Sequence, residues 1–186
     1  MNLSQILEAD ARLTAKIRIA EKPGPLRTAA AFLAHSGDSW FWAAGLVLLW
    51  FLGDTFWKHW AAVIFGGIAA LAALVMIVKF SVKRRRPEGE WGLLYRSTDP
   101  HSFPSGHAAR AFLIGVMALY LGPEWLAVTL ILWAPLVALA RVAMGVHYVS
   151  DIAAGALLGV LAGMLGYQIY PYVYANFLAQ TNFPLW

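Results

Sequence analysis

Uncharged apolar runs divided by short polar turns set the pattern of this chain. Trp60 to Val78 is nineteen residues without a charge, and Ile152 to Leu178 is twenty-seven. Trp40 to Leu52, Ala108 to Leu121 and Trp125 to Ala140 are shorter runs of the same kind. A straight helical crossing of a bilayer needs about 20 apolar residues, so the shorter runs must borrow from their flanks or cross a thinned bilayer. None of the runs alternates as barrel strands do, and open sheets leave backbone groups unsatisfied in lipid. The pattern predicts an all-α, polytopic membrane helical bundle of about five transmembrane helices, in one domain over 1–186.

Ahead of these runs, Leu3, Ile6, Leu7, Leu13, Ile17 and Ala20 recur at roughly helical spacing among Glu8, Asp10, Arg12, Lys16 and Arg18. That spacing predicts an amphipathic helix lying on the membrane rather than a cleavable signal, which needs an uninterrupted apolar core. Lys22-Pro23-Gly24-Pro25 ends it. Leu26 to His35 is apolar but too short to cross, so 1–36 reads as an interfacial N-terminal segment. Counting crossings places this segment, the loop 79–105 and the interlude 141–151 on one face of the membrane.

Composition agrees with the pattern. The chain is 60% hydrophobic and 13% charged, with a mean hydropathy of +0.62. Soluble domains have about 45–50% apolar and about 25% charged residues. With no cysteine, neither a disulfide framework nor a thiolate metal site can form. The net charge of +4 is concentrated beside the apolar spans, which fits lipid head groups or an anionic substrate better than nucleic acid. No obligatory protein partner is indicated.

Three polar segments carry candidate chemistry. Pro104-Ser105-Gly106-His107 is a turn that opens an apolar helix. It offers backbone N–H groups, a hydroxyl and an imidazole to an anion. His147 and Asp151 are four apart, so on one helix face the carboxylate can hold one ring nitrogen and leave the other free to attack or to accept a proton. Lys79, Arg86 and Arg141, from different helix ends, suit a clamp on the equatorial oxygens of a transferring phosphoryl group. Lys83, Arg84 and Arg85 read instead as membrane anchors.

Lys79-x6-Arg86-Pro87, Pro104-Ser105-Gly106-His107 and Arg141-x5-His147-x3-Asp151 together resemble the three-part signature of the type 2 phosphatidic acid phosphatase (PAP2) superfamily, in order and without substitution over 79–151. The resemblance implies that His147 is a nucleophile forming a phosphohistidine, that Asp151 orients it, and that His107 is the general acid. It implies that Lys79, Arg86, Ser105, Gly106 and Arg141 bind phosphoryl oxygens, with no metal and no cofactor. The expected activity is a metal-independent lipid phosphate phosphatase acting on a phospholipid or polyprenyl phosphate or diphosphate. The alternatives are a lipid phosphotransferase using the same phosphohistidine, and a non-catalytic lipid binder or transporter of the same fold.

Membrane members of that family typically have six spans, and here the charged N-terminal helix stands in place of the first. Their active site usually faces the periplasm or the outside. In this chain Arg12, Lys16, Arg18, Lys22 and Arg27 lie on the active-site side, and the positive-inside rule then favours a cytoplasmic site, in what reads as a prokaryotic cytoplasmic membrane. Arg110 is a charge inside a span and so a candidate substrate contact, approaching the phosphate or pairing with Asp99 or Glu88. His101 and Tyr95, in the loop over the site, are candidate head-group contacts. His35 and His59 read as interfacial, without partners.

Overall fold

The computed structural model describes residues 2–89, 91, 99–173 and 175. Among them the chain forms seven helices. They are α1 (Leu3–Ile17), α2 (Pro25–Ser36), α3 (Ser39–Leu52), α4 (Thr55–Val82), α5 (Gly106–Leu121), α6 (Glu124–Ala143) and α7 (Val149–Val173). The helix starts follow local chemistry. Asn2 and Gln5 form a capping box on α1, Pro25 opens α2, and Asp54 accepts from Trp57 N at 3.1 Å to cap α4. Lys83 ends α4 in the left-handed region (φ 53), and Gly145 does the same two residues beyond α6 (φ 68).

Helices α4, α6 and α7 are long and apolar enough to cross a bilayer, while α3 and α5 are apolar helices of 14 and 16 residues. Large apolar side chains such as Leu52, Ile77, Leu132, Leu157 and Leu165 point outward, as lipid contact requires. The core sits around α5, which packs against α4, α6 and α7. Its Ala108, Ala109, Ala111, Leu113, Ile114, Met117 and Ala118 are all buried.

Small residues set the spacing of the two helices that carry the site. Gly155, Gly159 and Gly163 recur every four residues along α7 and face α5. A Cβ at Gly155 would lie 2.5 Å from the Ser105 carbonyl oxygen, one at Gly159 would run into the Ala109 carbonyl, and one at Gly163 would lie 2.9 Å from Val116. With no hydrophobic effect between helices in lipid, such close backbone approach supplies the packing.

The segments expected on one face are joined there by backbone bonds. Ile19 N donates to Ala143 O at 2.8 Å, Ser102 N to Arg84 O at 2.8 Å, and Ser105 N to Asp151 O at 3.0 Å. Two expectations change. Helix α6 runs past Ala140 to Ala143, which puts Arg141 in its last turn. Helix α7 starts at Val149, so His147 precedes it and meets Asp151 across the helix start rather than along one helical face.

Candidate active site

Ser105 is the cap of α5, its Oγ accepting from Ala108 N at 3.4 Å, which leaves the hydroxyl proton available to donate. Gly106 and His107 occupy the first turn, with N–H groups that a helix cannot satisfy internally. Ser105 is fully buried and tied to α7 through Asp151 O, so this helix start has a fixed position beside the Asp151 carboxylate.

His147 and Asp151 are both almost completely buried. His147 Nδ1 lies 3.5 Å from Asp151 Oδ2, and its Nε2 lies 3.2 Å from Arg86 Nη1. A guanidinium can only donate, so Nε2 is the nitrogen that carries the lone pair and Nδ1–H faces the carboxylate. Burial, followed by the charges of Arg86, Arg141 and Lys79, holds this imidazole well below the ordinary histidine range. A neutral imidazole with its free nitrogen turned toward a guanidinium is suited to attack an anionic centre that the same guanidinium binds.

The cations come together at this end of the bundle. Lys79, near the end of α4, is buried and donates to Asp99 Oδ1 and Oδ2 at 2.8 and 2.6 Å, and to His101 O at 2.8 Å. Arg86 donates through Nε to Asp99 O at 2.8 Å, through Nη2 to Asp99 Oδ2 at 2.7 Å and through Nη1 to Val146 O at 2.8 Å. Arg141 is buried in the last turn of α6, within electrostatic reach of both His107 and His147. Lys79 and Arg86 thus share one anionic ligand, the Asp99 carboxylate, which binds them as a phosphoryl oxygen pair would.

Several side chains are placed differently from their sequence reading. Arg84 is no mere anchor: it donates to Asp151 Oδ1 and Asp10 Oδ2, both at 2.7 Å, and to Ser150 Oγ at 2.6 Å, with Tyr148 stacked 3.9 Å from its carbon. Arg110 pairs with neither Asp99 nor Glu88; it donates to the Gly37 carbonyl and to Ser39 Oγ at 2.6 Å. His101 serves through its carbonyl, and its ring stands edge-on to Phe80. His35 meets Asp38 at 3.0 Å, and His59 contacts the Tyr170 hydroxyl, so both have partners. Tyr95 lies outside the described residues.

Sequence reasoning passed over Asp10, Thr14 and Asp38. Asp10 accepts from Ser150 N at 3.0 Å, and Thr14 Oγ1 accepts from Val149 N at 3.2 Å, so α1 caps the start of α7. The available signal was Asp10 and Thr14, four apart on the polar face of an otherwise apolar-striped helix.

Beside the cations lies a pocket of about 150 Å³ lined by Lys79, Asp99, Gly106, His107 and Arg110 at its polar end and by Ile68, Leu71, Ala72 and Val75 of α4. A larger apolar groove of about 440 Å³ runs between α4, α5 and α7, past Leu71 and Leu113 to Ile169.

A family model described as "PAP2 superfamily" matches residues 60–175, more than half of the chain and every residue of the three signature segments. The chain belongs to the PAP2 superfamily. Among curated relatives, this PAP2 chain is 30% identical over 152 residues to the decaprenylphosphoryl-5-phosphoribose phosphatase of Mycobacterium tuberculosis, covering 79% of this chain and 81% of that protein. It is 32% identical over 113 residues to the lipid A 1-phosphatase of Porphyromonas gingivalis, where the match covers 59% of this chain but only 24% of the larger protein. In three dimensions the PAP2 domain is similar to the transmembrane PAP2-type phosphatidylglycerolphosphate phosphatase from Bacillus subtilis, with a TM-score of 0.73 at 21% identity over 91% of this chain and 88% of that one. It is also similar to Aquifex aeolicus LpxE, with a TM-score of 0.67 at 24% identity over 85% of this chain and 94% of that one. These two likenesses establish the fold.

Proposed function

We propose that this PAP2 chain is an integral membrane lipid phosphate phosphatase that works through a phosphohistidine without a metal. The observation that carries the reading is the convergence on one buried point of Arg86, His147 and Asp151, with His147 Nε2 turned toward a guanidinium at 3.2 Å. The phosphoryl group of the substrate replaces Asp99 between Lys79 and Arg86, with Arg141, Ser105 Oγ and the Gly106 N–H completing the clamp. His147 Nε2 attacks phosphorus while the bond to the lipid oxygen breaks, and protonated His107 supplies the proton to that oxygen. Water then attacks the phosphohistidine, giving its proton to His107, and the P–N electron pair returns to His147. The charge on the equatorial oxygens is what the three cations stabilise.

The pocket beside His107 is apolar along α4 and polar at its head, which suits a lipid whose tail stays in the bilayer. The substrate class is a phosphomonoester or diphosphate of a phospholipid or polyprenyl lipid. The names of the relatives, a decaprenyl-linked phosphosugar phosphatase and a lipid A phosphatase, fall in that class. The test is phosphate release by the purified protein over a panel containing phosphatidate, phosphatidylglycerol phosphate and polyprenyl phosphates and diphosphates. Release that persists in EDTA and is lost in His147→Ala supports the reading. Release in His147→Ala at the wild-type rate overturns it.

A further inference from the structure

The junction between α2 and α3 delivers a second carboxylate to the site, against His107. Asp38 Oδ1 lies 2.7 Å from His107 Nε2, and Asp38 Oδ2 lies 3.0 Å from His35 Nδ1. Asp38 occupies the position before α3 where an aspartate ordinarily accepts from the helix's first N–H groups, yet its side chain makes no such bond. The carboxylate is turned to His107 instead of capping its own helix.

The turn that holds it is fastened from several directions. Arg110 donates to the Gly37 carbonyl with Nε at 3.0 Å and also with Nη2, and to Ser39 Oγ at 2.6 Å with Nη1. Trp42 Nε1 donates to Ser36 O at 3.1 Å, and Trp133 Nε1 donates to Ser36 Oγ at 2.9 Å. Gly37 is buried so tightly that a Cβ there would stand 2.8 Å from Val137 Cγ1 and 3.4 Å from His107 Cδ2. A buried arginine, otherwise costly in an apolar helix, is thus explained as the clasp of this turn.

We infer that Asp38 is the positioning residue of the general acid: it accepts the Nε2 proton of His107 in a hydrogen bond, leaving Nδ1 to exchange a proton with the reacting oxygen. This rests on the phosphatase reading above. As the ester P–O bond breaks, its electron pair goes to the lipid oxygen, which takes the proton from Nδ1. His107 is then neutral, with Nε2–H still held by Asp38. In the second half Nδ1 takes the proton of the attacking water as the P–N bond breaks, restoring the imidazolium. His147 with Asp151 and His107 with Asp38 are thus two oriented imidazoles, one for each side of the phosphorus. Burial alone would raise the Asp38 carboxyl, but the bonds from His107 and His35 outweigh it and hold it below the ordinary carboxylate range, so it stays an anion through the cycle.

The charged groups facing this pair are His35 from α2, Arg110 from α5, Arg141 from α6 and His147 from the turn before α7. Removing the Asp38 charge leaves His107 among cations, which disfavours its protonated form. The alkaline limb of the rate profile then moves to lower pH.

The experiment compares wild type, Asp38→Asn, Asp38→Glu, His107→Ala and the double variant Asp38→Asn/His107→Ala in detergent. Two substrates are used: octyl phosphate, and a nitrophenyl phosphate bearing the same alkyl chain. A general acid contributes about 10²–10⁴-fold, and least when the leaving oxygen is already a stable anion. Asp38→Asn should lose about 100-fold in kcat on octyl phosphate with KM changed less than about 3-fold. The loss on the nitrophenyl ester should be at least about 10-fold smaller. Asp38→Glu should recover part of the rate, the alkaline limb of Asp38→Asn should shift down, and Asp38→Asn should cost less than about 2-fold on top of His107→Ala. Equal losses on both substrates with an unshifted profile, or full additivity in the double variant, overturn the inference and leave Asp38 a packing residue. A wild type that hydrolyses neither substrate nor any lipid of the panel fails the phosphatase reading itself, whereas an active wild type with a uniform Asp38→Asn defect fails only this assignment.

Discussion

Arg84 donates to Asp151 Oδ1 with one arm and to Asp10 Oδ2 with the other, both at 2.7 Å. Asp10 in turn accepts from Ser150 N and Oγ at 3.0 and 2.5 Å, so Arg84, just beyond α4, ties α1 and the start of α7 to the carboxylate that faces His147. A hydrogen bond to a charged group contributes about 1.5–3 kcal/mol, and its loss leaves a buried carboxylate short of a donor. Arg84→Ala should therefore lower kcat/KM by about 10- to 100-fold in a phosphate-release assay. Lys83→Ala and Arg85→Ala, at exposed positions, should stay within about 2-fold of wild type. Equal losses at 83, 84 and 85 would mean that only the collective charge matters.

With His147 as the proposed nucleophile, its protonation sets the acidic limit of the reaction. Its imidazole is held below the ordinary value by burial and by Arg86, Arg141 and Lys79, so the protonated, non-nucleophilic form appears only at lower pH. The acidic limb of kcat/KM should fall below the ordinary histidine value of about 6.5. Removing one of those charges favours protonation, so in Arg86→Gln the limb should move up, along with a large loss of rate. The substrate phosphate titrates identically with both enzymes, so the difference between the two profiles reports the protein. A limb that does not move, or moves down, contradicts the assignment of His147.

Asp99 occupies Lys79 and Arg86, the place the proposed mechanism gives to the substrate phosphoryl group. Asp99→Asn removes the charge but keeps the size, so inorganic vanadate and phosphate, which take the same place, should bind tighter. Each lost carboxylate contact is worth about 1 kcal/mol once the anion replaces it, a gain of about 5-fold in inhibition constant. Competitive inhibition by vanadate measures this directly. Weaker vanadate binding in Asp99→Asn would mean that the carboxylate organises the clamp instead of occupying it.

Gly159 governs how closely α7 approaches α5. A methyl group there meets the Ala109 carbonyl, and separating the helices moves Ser105 and His107 away from His147. Gly159→Ala should destabilise the protein by about 1–3 kcal/mol and lower activity in the same preparation. Gly66→Ala, with no atom within 4 Å of the added Cβ, is the control and should be neutral in thermal unfolding in detergent.

The bundle and the core of the site were legible because both rest on local signals. A span is a run of uncharged residues, and the runs at 60–78, 108–121, 125–140 and 152–178 fall on α4 to α7 as far as those helices are described. Lys79, Arg86, Ser105, His107, Arg141, His147 and Asp151 stand at helix ends, where a polar residue beside an apolar run is conspicuous. Arg84 was misread because its neighbours Lys83 and Arg85 are exposed, and charge alone does not distinguish an anchor from a ligand of a carboxylate. The Gly155, Gly159 and Gly163 repeat was visible as spacing but carried no partner until α5 lay against it.

By itself, then, the sequence determined the material of the protein: an all-α membrane bundle and three polar segments that carry His107, His147, Asp151 and the cations of the candidate site. Tertiary structure decided which charges touch. It set Asp38 against His107, fastened Arg110 to the Gly37 carbonyl, and turned Arg84 from the lipid surface to Asp151. The reason is physical. Helix formation and membrane insertion depend on residues within a few turns of one another, so they are written locally. A hydrogen bond between Asp38 and His107, 69 residues apart, exists only once α2, α5 and α6 have packed around a buried glycine.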